Sequence, residues 1–436
     1  MMKYRLISVF FLCGAVCLAE KARGAETSSP AVYTLEDCIE AGLENSARIK
    51  TASADRAIAD YLVEQARSSA LPKVSLSGRY TRQDELQEVS FGEQTTEVGS
   101  LNNYSVEAGV NQLLYSGGKV RSALRAARLS RKLASSSKRE TELSLVRDIR
   151  DGFYGVLLAR DSVSVREDSV KQLESLVKQA EAKHKTGAGS EFNVLRAKVE
   201  LANEKPALIA ARAGYETALA AFRRLLGIEE EIALRGELSF VPFEGEYDDL
   251  VAEALSNRPA LRRSEVAVEL RKEDVSAAKA GYMPEVNAFF NYTGTKPYGF
   301  VTADDEWEWH WSTGLMLNWS LWDSGLTSGR VGEKQQELVK ARTAREDLER
   351  AVKLQVKTAY LDMKHAAEAV KAGKGNVRLA EKALEIAATR LETGAGTHLE
   401  FTDANVALST AKLGYLGAVM DHMNAVSRLK AAIGRE

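Results

Sequence analysis

Few residues of this 436-residue chain have the types and spacing that chemistry needs. Gly187-Ala188-Gly189 and Gly394-Ala395-Gly396 look like pieces of a phosphate loop. Each follows a helical pattern rather than a strand, and no Lys-Ser/Thr follows at the required spacing. The five histidines (184, 310, 365, 398 and 422) are scattered, and none pairs with a cysteine at zinc-site spacing. His422, between Met420 and Met423, is a slight pointer to a metal; helix packing is its ordinary use. No nucleophile, base and acid form an arrangement worth naming. The expectation is therefore no enzyme, no cofactor and no metal. The residues that stand out act physically: all five tryptophans lie between 307 and 322. One strand face reads Trp307, Trp309, Trp311, Thr313, Leu315, Leu317, Trp319, Leu321, and the other reads Glu308, His310, Ser312, Gly314, Met316, Asn318, Ser320, Trp322. Aromatics at both ends of an apolar band suit a membrane β-strand, because indole rings favour the two interfaces. The alternative is a soluble sandwich strand with a Trp-rich core.

Elements must position that strand, and they occur twice. Leu71-Pro72-Lys73-Val74 matches Met283-Pro284-Glu285-Val286 at an offset of 212, as Asn45 with Ile49 matches Asn257 with Leu261. Leu114-Tyr115-Ser116-Gly117-Gly118 matches Leu321-Trp322-Asp323-Ser324-Gly325 at 207. The Gly-Ala-Gly pairs share that offset, as do Leu226-Gly227 and Ile433-Gly434. The change of five falls between Pro72 and Leu114, so one connection alone differs in length. The units are placed at 25–228 and 248–436, joined by a linker at 229–247 with Gly236, Pro242 and Gly245.

Each unit reads as helix, strand, loop, strand, very long helix, turn, returning helix. Val74, Leu76, Gly78 and Tyr80 alternate with Ser75, Ser77, Arg79 and Thr81, and Val106, Ala108, Val110, Gln112 and Leu114 with Ser105, Glu107, Gly109, Asn111 and Leu113, which predicts hairpins at about 73–115 and 285–321. No proline occurs from 119 to about 185 or from 326 to about 392, within a total of seven. Val170, Leu173, Val177 and Ala180 are spaced 3, 4, 3, as are Val377, Ala380, Leu384 and Ala387, the spacing of coiled-coil seams. A helix of ~66 residues is roughly 100 Å long. The turns at 187–189 and 394–396 then end each long helix.

Lys3 and Arg5 precede a short apolar run at 6–18, and Ala22-Arg23-Gly24 offers small residues for cleavage, so residues 1–24 are assigned as a secretory signal, with a cut after Ala19 as the alternative. Its removal takes four basic groups and one acid from a formal charge of −2, leaving −5. That balance marks no nucleic-acid binder. Cys38 is then the sole cysteine, and no internal disulfide can form. No later stretch has ~20 consecutive apolar residues, which excludes a membrane-spanning helix. Four strands cannot close a barrel, and bacterial barrels need at least eight. Two copies would make a barrel filled by its own side chains; three give twelve strands and a water-filled lumen, so a homotrimer is preferred.

These paired motifs resemble those of the TolC-like outer-membrane efflux proteins. The likeness rests on Asn45 to Ile49 and Asn257 to Leu261 at the helix starts, the two strand-to-helix pentapeptides, the Gly-Ala-Gly turns and the final Leu/Ile-Gly. Two departures are Ala47 where the second unit has Pro259, and Ser324 in place of a first glycine. The resemblance implies an α+β membrane protein of the Gram-negative outer membrane, with four β-strands per chain in a trimeric 12-stranded barrel continued as a long periplasmic helical barrel. It implies a passive exit duct of a tripartite efflux or type I secretion system, with a periplasmic adaptor (membrane fusion) protein and an inner-membrane transporter as partners. It further implies that the tips Gly187, Ala188, Gly189, Gly394, Ala395 and Gly396 contact the adaptor, and that acids near them gate the tunnel. The matching positions are Glu400 and Asp403, whose i, i+3 spacing puts both carboxylates on one helix face. Arg196, equivalent to Asp403 in the first unit, is a candidate counter-charge. The acidic 83–103 loop is expected outside the cell. A stand-alone porin would not need the long helices, and a soluble coiled-coil spacer would not need the two hairpins.

Overall fold

The structure is a computed structural model that describes residues 31–91, 94–297 and 306–435. The assigned signal at 1–24 lies outside the described residues, as do Gly92 and Glu93 of the acidic loop. In chain order the elements begin with β1 (Ala31–Tyr33), α1 (Leu35–Asn45), α2 (Ala47–Ser68) and β2 (Lys73–Arg82). There follow β3 (Gln87–Phe91), β4 (Gln94–Val98), β5 (Asn102–Tyr115), α3 (Lys119–Lys185) and α4 (Glu191–Leu226). The second half has β6 (Ile232–Leu234), α5 (Tyr247–Asn257), α6 (Pro259–Lys279), β7 (Glu285–Lys296), β8 (Glu308–Asn318), α7 (Leu326–Glu392) and α8 (His398–Ile433). α3 and α7 are each 67 residues long, and α4 and α8 are each 36.

Three features depart from the sequence expectation. Each unit opens with two helices rather than one, broken at Ser46 and Arg258. The loop at 83–103 contains a small hairpin, β3 with β4. The linker at 229–247 is fastened down: β6 pairs in parallel with β1, and the Gly236 carbonyl accepts a bond from Arg160 Nη2 at 3.0 Å.

The helices form four parallel rows. α3 packs on α2 and α4 along one side and on α6 and α8 along the other, and α7 packs on α6 and α8. The row order is therefore α2/α4, α3, α6/α8, α7. Within the composite rows the helices meet nearly end to end. A Cβ on Gly227 would lie 2.9 Å from the Asn45 carbonyl oxygen, and one on Gly434 3.3 Å from the Asn257 carbonyl carbon. Both glycines also hold φ near +80° (75° and 82°), so these junctions demand glycine twice over. That is the physical content of the paired Asn and Leu/Ile-Gly motifs: they touch.

The strands continue the rows. The sheet order is β2-β5-β7-β8, all neighbours antiparallel. β2 follows α2, β5 leads into α3, β7 follows α6 and β8 leads into α7, so sheet order and row order coincide. Each stave of the wall is one strand and one helical row. The joint into α3 and α7 uses consecutive left-handed residues, Gly117 and Gly118 in one case and Ser324 and Gly325 in the other. Ser324 adopts φ 53° where the first unit has glycine, so the departure in sequence changes no backbone conformation. Asp323 then caps α7, accepting from the Gly325 and Thr327 amides at 3.1 and 2.8 Å. Bonds from the Thr327 side chain and amide, chiefly, hold its carboxyl below the usual range.

A short outer layer of α1, α5, β1 and β6 crosses the rows where the helix ends meet. It buries the same core twice. Cys38, Ile49, Leu145, Ile149, Val156, Phe222 and Leu226 in the first unit correspond, at offsets of 212 or 207, to Leu250, Leu261, Val352, Val356, Met363, Leu429 and Ile433. Burial pushes the Cys38 thiol up to about 12, with Asp37 and Glu36 adding to it, which keeps this thiol unreactive. Ion pairs lie across the rows, such as Arg48–Asp148 at 2.6 Å and Arg125–Glu273 at 2.9 Å. At roughly 0–1 kcal/mol each, such pairs set register more than stability.

His422 on α8 is almost fully buried, with the Phe240 ring from the linker 4.6 Å away, and neither ring nitrogen has a hydrogen-bond partner among the described residues. Burial lowers its pKa, so the neutral ring is the form that fits. The stability it supports is present above the unfolded value of about 6.5 and is lost as pH falls through and below that value. Thermal unfolding midpoints should therefore drop between pH 7.5 and 5.5, and the drop should be smaller in His422→Leu. An equal drop in the variant would place the acid sensitivity elsewhere.

Candidate functional site

The four-stranded sheet has two chemically distinct faces, fixed by register. Val74, Leu76, Gly78 and Tyr80 of β2 stand opposite Val110, Ala108, Val106 and Tyr104 of β5. Those four meet Phe290, Tyr292, Gly294 and Lys296 of β7, and the first three of these meet Thr313, Trp311 and Trp309 of β8. Paired residues share a face, so this side is an almost unbroken apolar and aromatic sheet. The opposite side carries Ser75, Ser77 and Arg79, then Ser105, Glu107 and Asn111, then Asn287, Asn291 and Thr293, then His310 and Ser312. The apolar face has no cover in the single chain: Leu76 is 77% exposed, Leu315 71% and Trp311 65%. A soluble sandwich core would bury these side chains, and that alternative is set aside.

Aromatic rings collect at the loop end of this face. Tyr80 and Tyr104 lie 5.0 Å apart, Tyr104 and Trp307 6.5 Å, Trp307 and Trp309 6.0 Å, and Tyr292 and Trp309 5.2 Å. At the helix end Trp319 donates its indole Nε1 to the Tyr282 carbonyl at 3.1 Å. Two details differ from the sequence expectation. β8 spans 308–318 only, so Trp307 and Trp319 flank the strand rather than belong to it. In β5 the register shifts between Leu113 and Tyr115, which brings Tyr115 rather than Leu114 opposite Val286. A bulge of this kind is invisible to a period-2 count.

The other end of the molecule holds the two tips. Gly187 and Gly394 take φ of 73° and 77° and end α3 and α7. The tips are joined: Lys183 Nζ on α3 donates to the Leu391 carbonyl at 3.0 Å, and Leu173, Leu176, Val177, Ala180, Val194, Ala197, Leu391 and Phe401 form one small core. Glu400 is more committed than its charge suggested. It is the third residue of α8, and its Oε2 accepts from the Thr397 amide at 3.4 Å while Thr397 Oγ1 accepts from the Glu400 amide at 3.2 Å. This reciprocal capping box is supplemented by Arg390 Nε at 3.5 Å. Asp403 is exposed and makes no ion pair among the described residues. Arg196 is not its counter-charge within the chain. Together with Lys183 it faces His398, whose imidazole is pushed down by burial first and then by these two cations. Sequence spacing gave no sign of this cluster of two cations about an imidazole, because its members come from three helices.

The capping box makes a local prediction. Thr397→Ala should weaken the start of α8 by about 1 kcal/mol, read as roughly fivefold faster amide hydrogen exchange over 398–401, whereas Thr397→Ser should leave it unchanged. Equal exchange in the alanine variant would mean that the tip is held by its core alone.

With this geometry in hand, comparison with known proteins is informative. The sequence matches the family described as "Outer membrane efflux protein" over residues 38–228 and 250–435. It is 22% identical to the outer membrane efflux protein BepC of Brucella suis, over 92% of this chain and 85% of that protein. It is also 22% identical to the outer membrane protein TolC of Escherichia coli, over 88% of this chain and 79% of that one. The fold superposes on the CmeC outer membrane channel of Campylobacter jejuni with a TM-score of 0.78 at 14% identity, covering 92% of this chain and 85% of that one. Two matched segments, each with its hairpin and its long helix, account for nearly all of the described residues, and the chain belongs to the outer membrane efflux protein family, the TolC-like transport channels of the Gram-negative outer membrane.

Proposed function

We propose that three copies of this chain assemble into a passive exit duct, through which an inner-membrane transporter and a periplasmic adaptor protein deliver substrates to the cell exterior in a tripartite efflux or type I secretion system. The observation that carries this reading is the coincidence of sheet order and row order with two open edges. Among the described residues β2 and β8 each lack a neighbour on one side, and their directions alternate, so β8 of one copy fits β2 of the next in antiparallel fashion. Twelve strands and twelve helical rows then close together. The outer rows support the same join: Ile58, Tyr61, Phe192, Leu195 and Val199 on α2/α4, and Leu361, Leu379 and Ile386 on α7, are exposed apolar side chains in the single chain. The equal lengths of α3 and α7 and of α4 and α8, with the repeated core, favour an origin by internal duplication, with units at 25–228 and 248–436.

Twelve rows at about 9–10 Å spacing leave a bore of roughly 25 Å. Helices α1 and α5 from three copies would fill it, so this layer belongs on the outside. Strands of 10 to 14 residues are long enough to cross a bilayer at a tilt. Trp307, Trp309 and Trp311 then sit at the outer interface and Trp319 at the inner one, with the 83–103 loop outside the cell. The tips at 187–189 and 394–396 lie about 100 Å away, deep in the periplasm, where they offer the adaptor contact. Three copies of Glu400 and Asp403 would there ring the narrow end and favour cations. A stand-alone porin has no use for rows of this length.

In mild detergent the purified protein should run at roughly three times its chain mass. A stable folded monomer in the membrane would overturn the architecture. Because Glu400 caps its helix, the gate is best tested with Glu400→Gln and Asp403→Asn together, which keep the side-chain oxygens. In planar bilayers this variant should show weaker cation selectivity and less block by divalent or trivalent cations. Unchanged selectivity in a variant that still assembles would place the constriction elsewhere.

A further inference from the structure

We propose that the recess where α8 ends and α6 begins is a binding site for an amphipathic organic anion, a carboxylate or sulfonate carried on an apolar body, one per chain. The recess measures about 500 Å³, within the range of small-molecule sites. Three guanidinium groups line it from three elements: Arg147 of α3, Arg258 before α6 and Arg428 of α8. Most of the remaining wall is apolar, with Leu143 and Leu354 on facing helices and alanines of α8 between them.

The positive charge there is under-compensated. Asp148 accepts from both Arg147 at 2.8 Å and Arg48 at 2.6 Å, so two cations share one carboxylate. Glu140, the acid nearest Arg258, is bound to Arg263 at 2.6 Å. Arg258 Nη2 donates only to the neutral amide oxygen of Gln355, and its Nη1 is buried with no partner among the described residues. Asp362 is exposed at the rim. Asp151, outside the lining, is the acid that acts on Arg428 and Arg147; burial raises its pKa while those two cations oppose the rise. An anion placed between Arg258 and Arg428 would give the unpartnered Nη1 an acceptor, and guanidinium forks are suited to planar or tetrahedral oxyanions. The apolar wall then selects among anions for those with a hydrophobic body.

The recess opens away from the outer layer. α7 presents Leu354, Gln355, Thr358 and Asp362 to it, while Val352, Val356 and Met363 face the core beneath α5. Its position inside the tunnel rests on the duct reading above; the site itself does not.

The test uses the full chain in a non-ionic detergent, titrated calorimetrically with 2-naphthalenesulfonate and with its neutral isostere 2-naphthalenesulfonamide. The sulfonate should bind saturably at one per chain and at least tenfold more tightly than the sulfonamide. Arg428→Gln, on an exposed side chain, and Arg258→Gln should each weaken the sulfonate about tenfold and leave the sulfonamide unmoved. No saturable binding, equal affinity for the two probes, or sulfonate affinity unchanged in both variants overturns the site. The same preparations run for mass separate the two readings: sulfonate binding by a chain that stays monomeric removes the duct and keeps the site. A trimer that fails to bind removes the site and keeps the duct.

Discussion

In hydrocarbon a strand edge cannot be left open, because each unpaired backbone N–H or C=O there costs several kcal/mol and no water is present to satisfy it. β2 and β8 each present such an edge. This constraint governs the rest of the molecule. On the duct reading copies join through strands, and because every strand runs into a helical row in the same order, the helices join as well. The apolar stripes on α7 and on α2/α4 are where that second join has to be made. A wall of staves in which membrane and periplasmic parts were ordered differently could not close in both places at once.

Within one chain the cohesion is concentrated at a single height. The two equivalent cores lie under the outer layer, where α4 meets α2 and α8 meets α6, and they contain the most completely buried side chains, among them Leu145, Ile149, Leu226, Leu429 and Ile433. Truncating one of these to alanine would cost about 2–5 kcal/mol. Away from this girdle the rows are held by narrow coiled-coil seams and by exposed ion pairs, and at the tips by one modest core. Local stability therefore falls from the girdle toward the tips.

Much of the fold was legible because its elements obey simple periodicities. A Pro-free stretch with 3-4 spacing has one regular solution at this length, and a period-2 run ending in two left-handed residues has another. What escaped notice depends on contacts remote in sequence. The break at Ser46 has no proline or glycine to mark it; it exists because Gly227, far along the chain, brings the end of α4 against Asn45. The bulge at Leu114 arises from pairing with β7, and β6 is a strand only because β1 lies beside it. The candidate site was less legible still. Thr397-His398-Leu399-Glu400 carries a capping signature in plain view, yet Glu400 drew attention for its charge and not for its place in the first turn. The cationic cluster around His398 and the recess between Arg258 and Arg428 gather residues from helices far apart in the chain, and no local pattern encodes them.

The wall alternates members of two kinds. α3 and α7 are unbroken beams about 100 Å long, whereas the rows between them are jointed at the girdle, where a glycine abuts an asparagine carbonyl with no covalent link in the axial direction. A jointed member can rotate or slide below its joint without dragging the part above. At the Gly227–Asn45 and Gly434–Asn257 seams the wall is thus continuous by packing alone. The chain is built like a shaft in which continuous members alternate with members coupled at mid-length by contact alone.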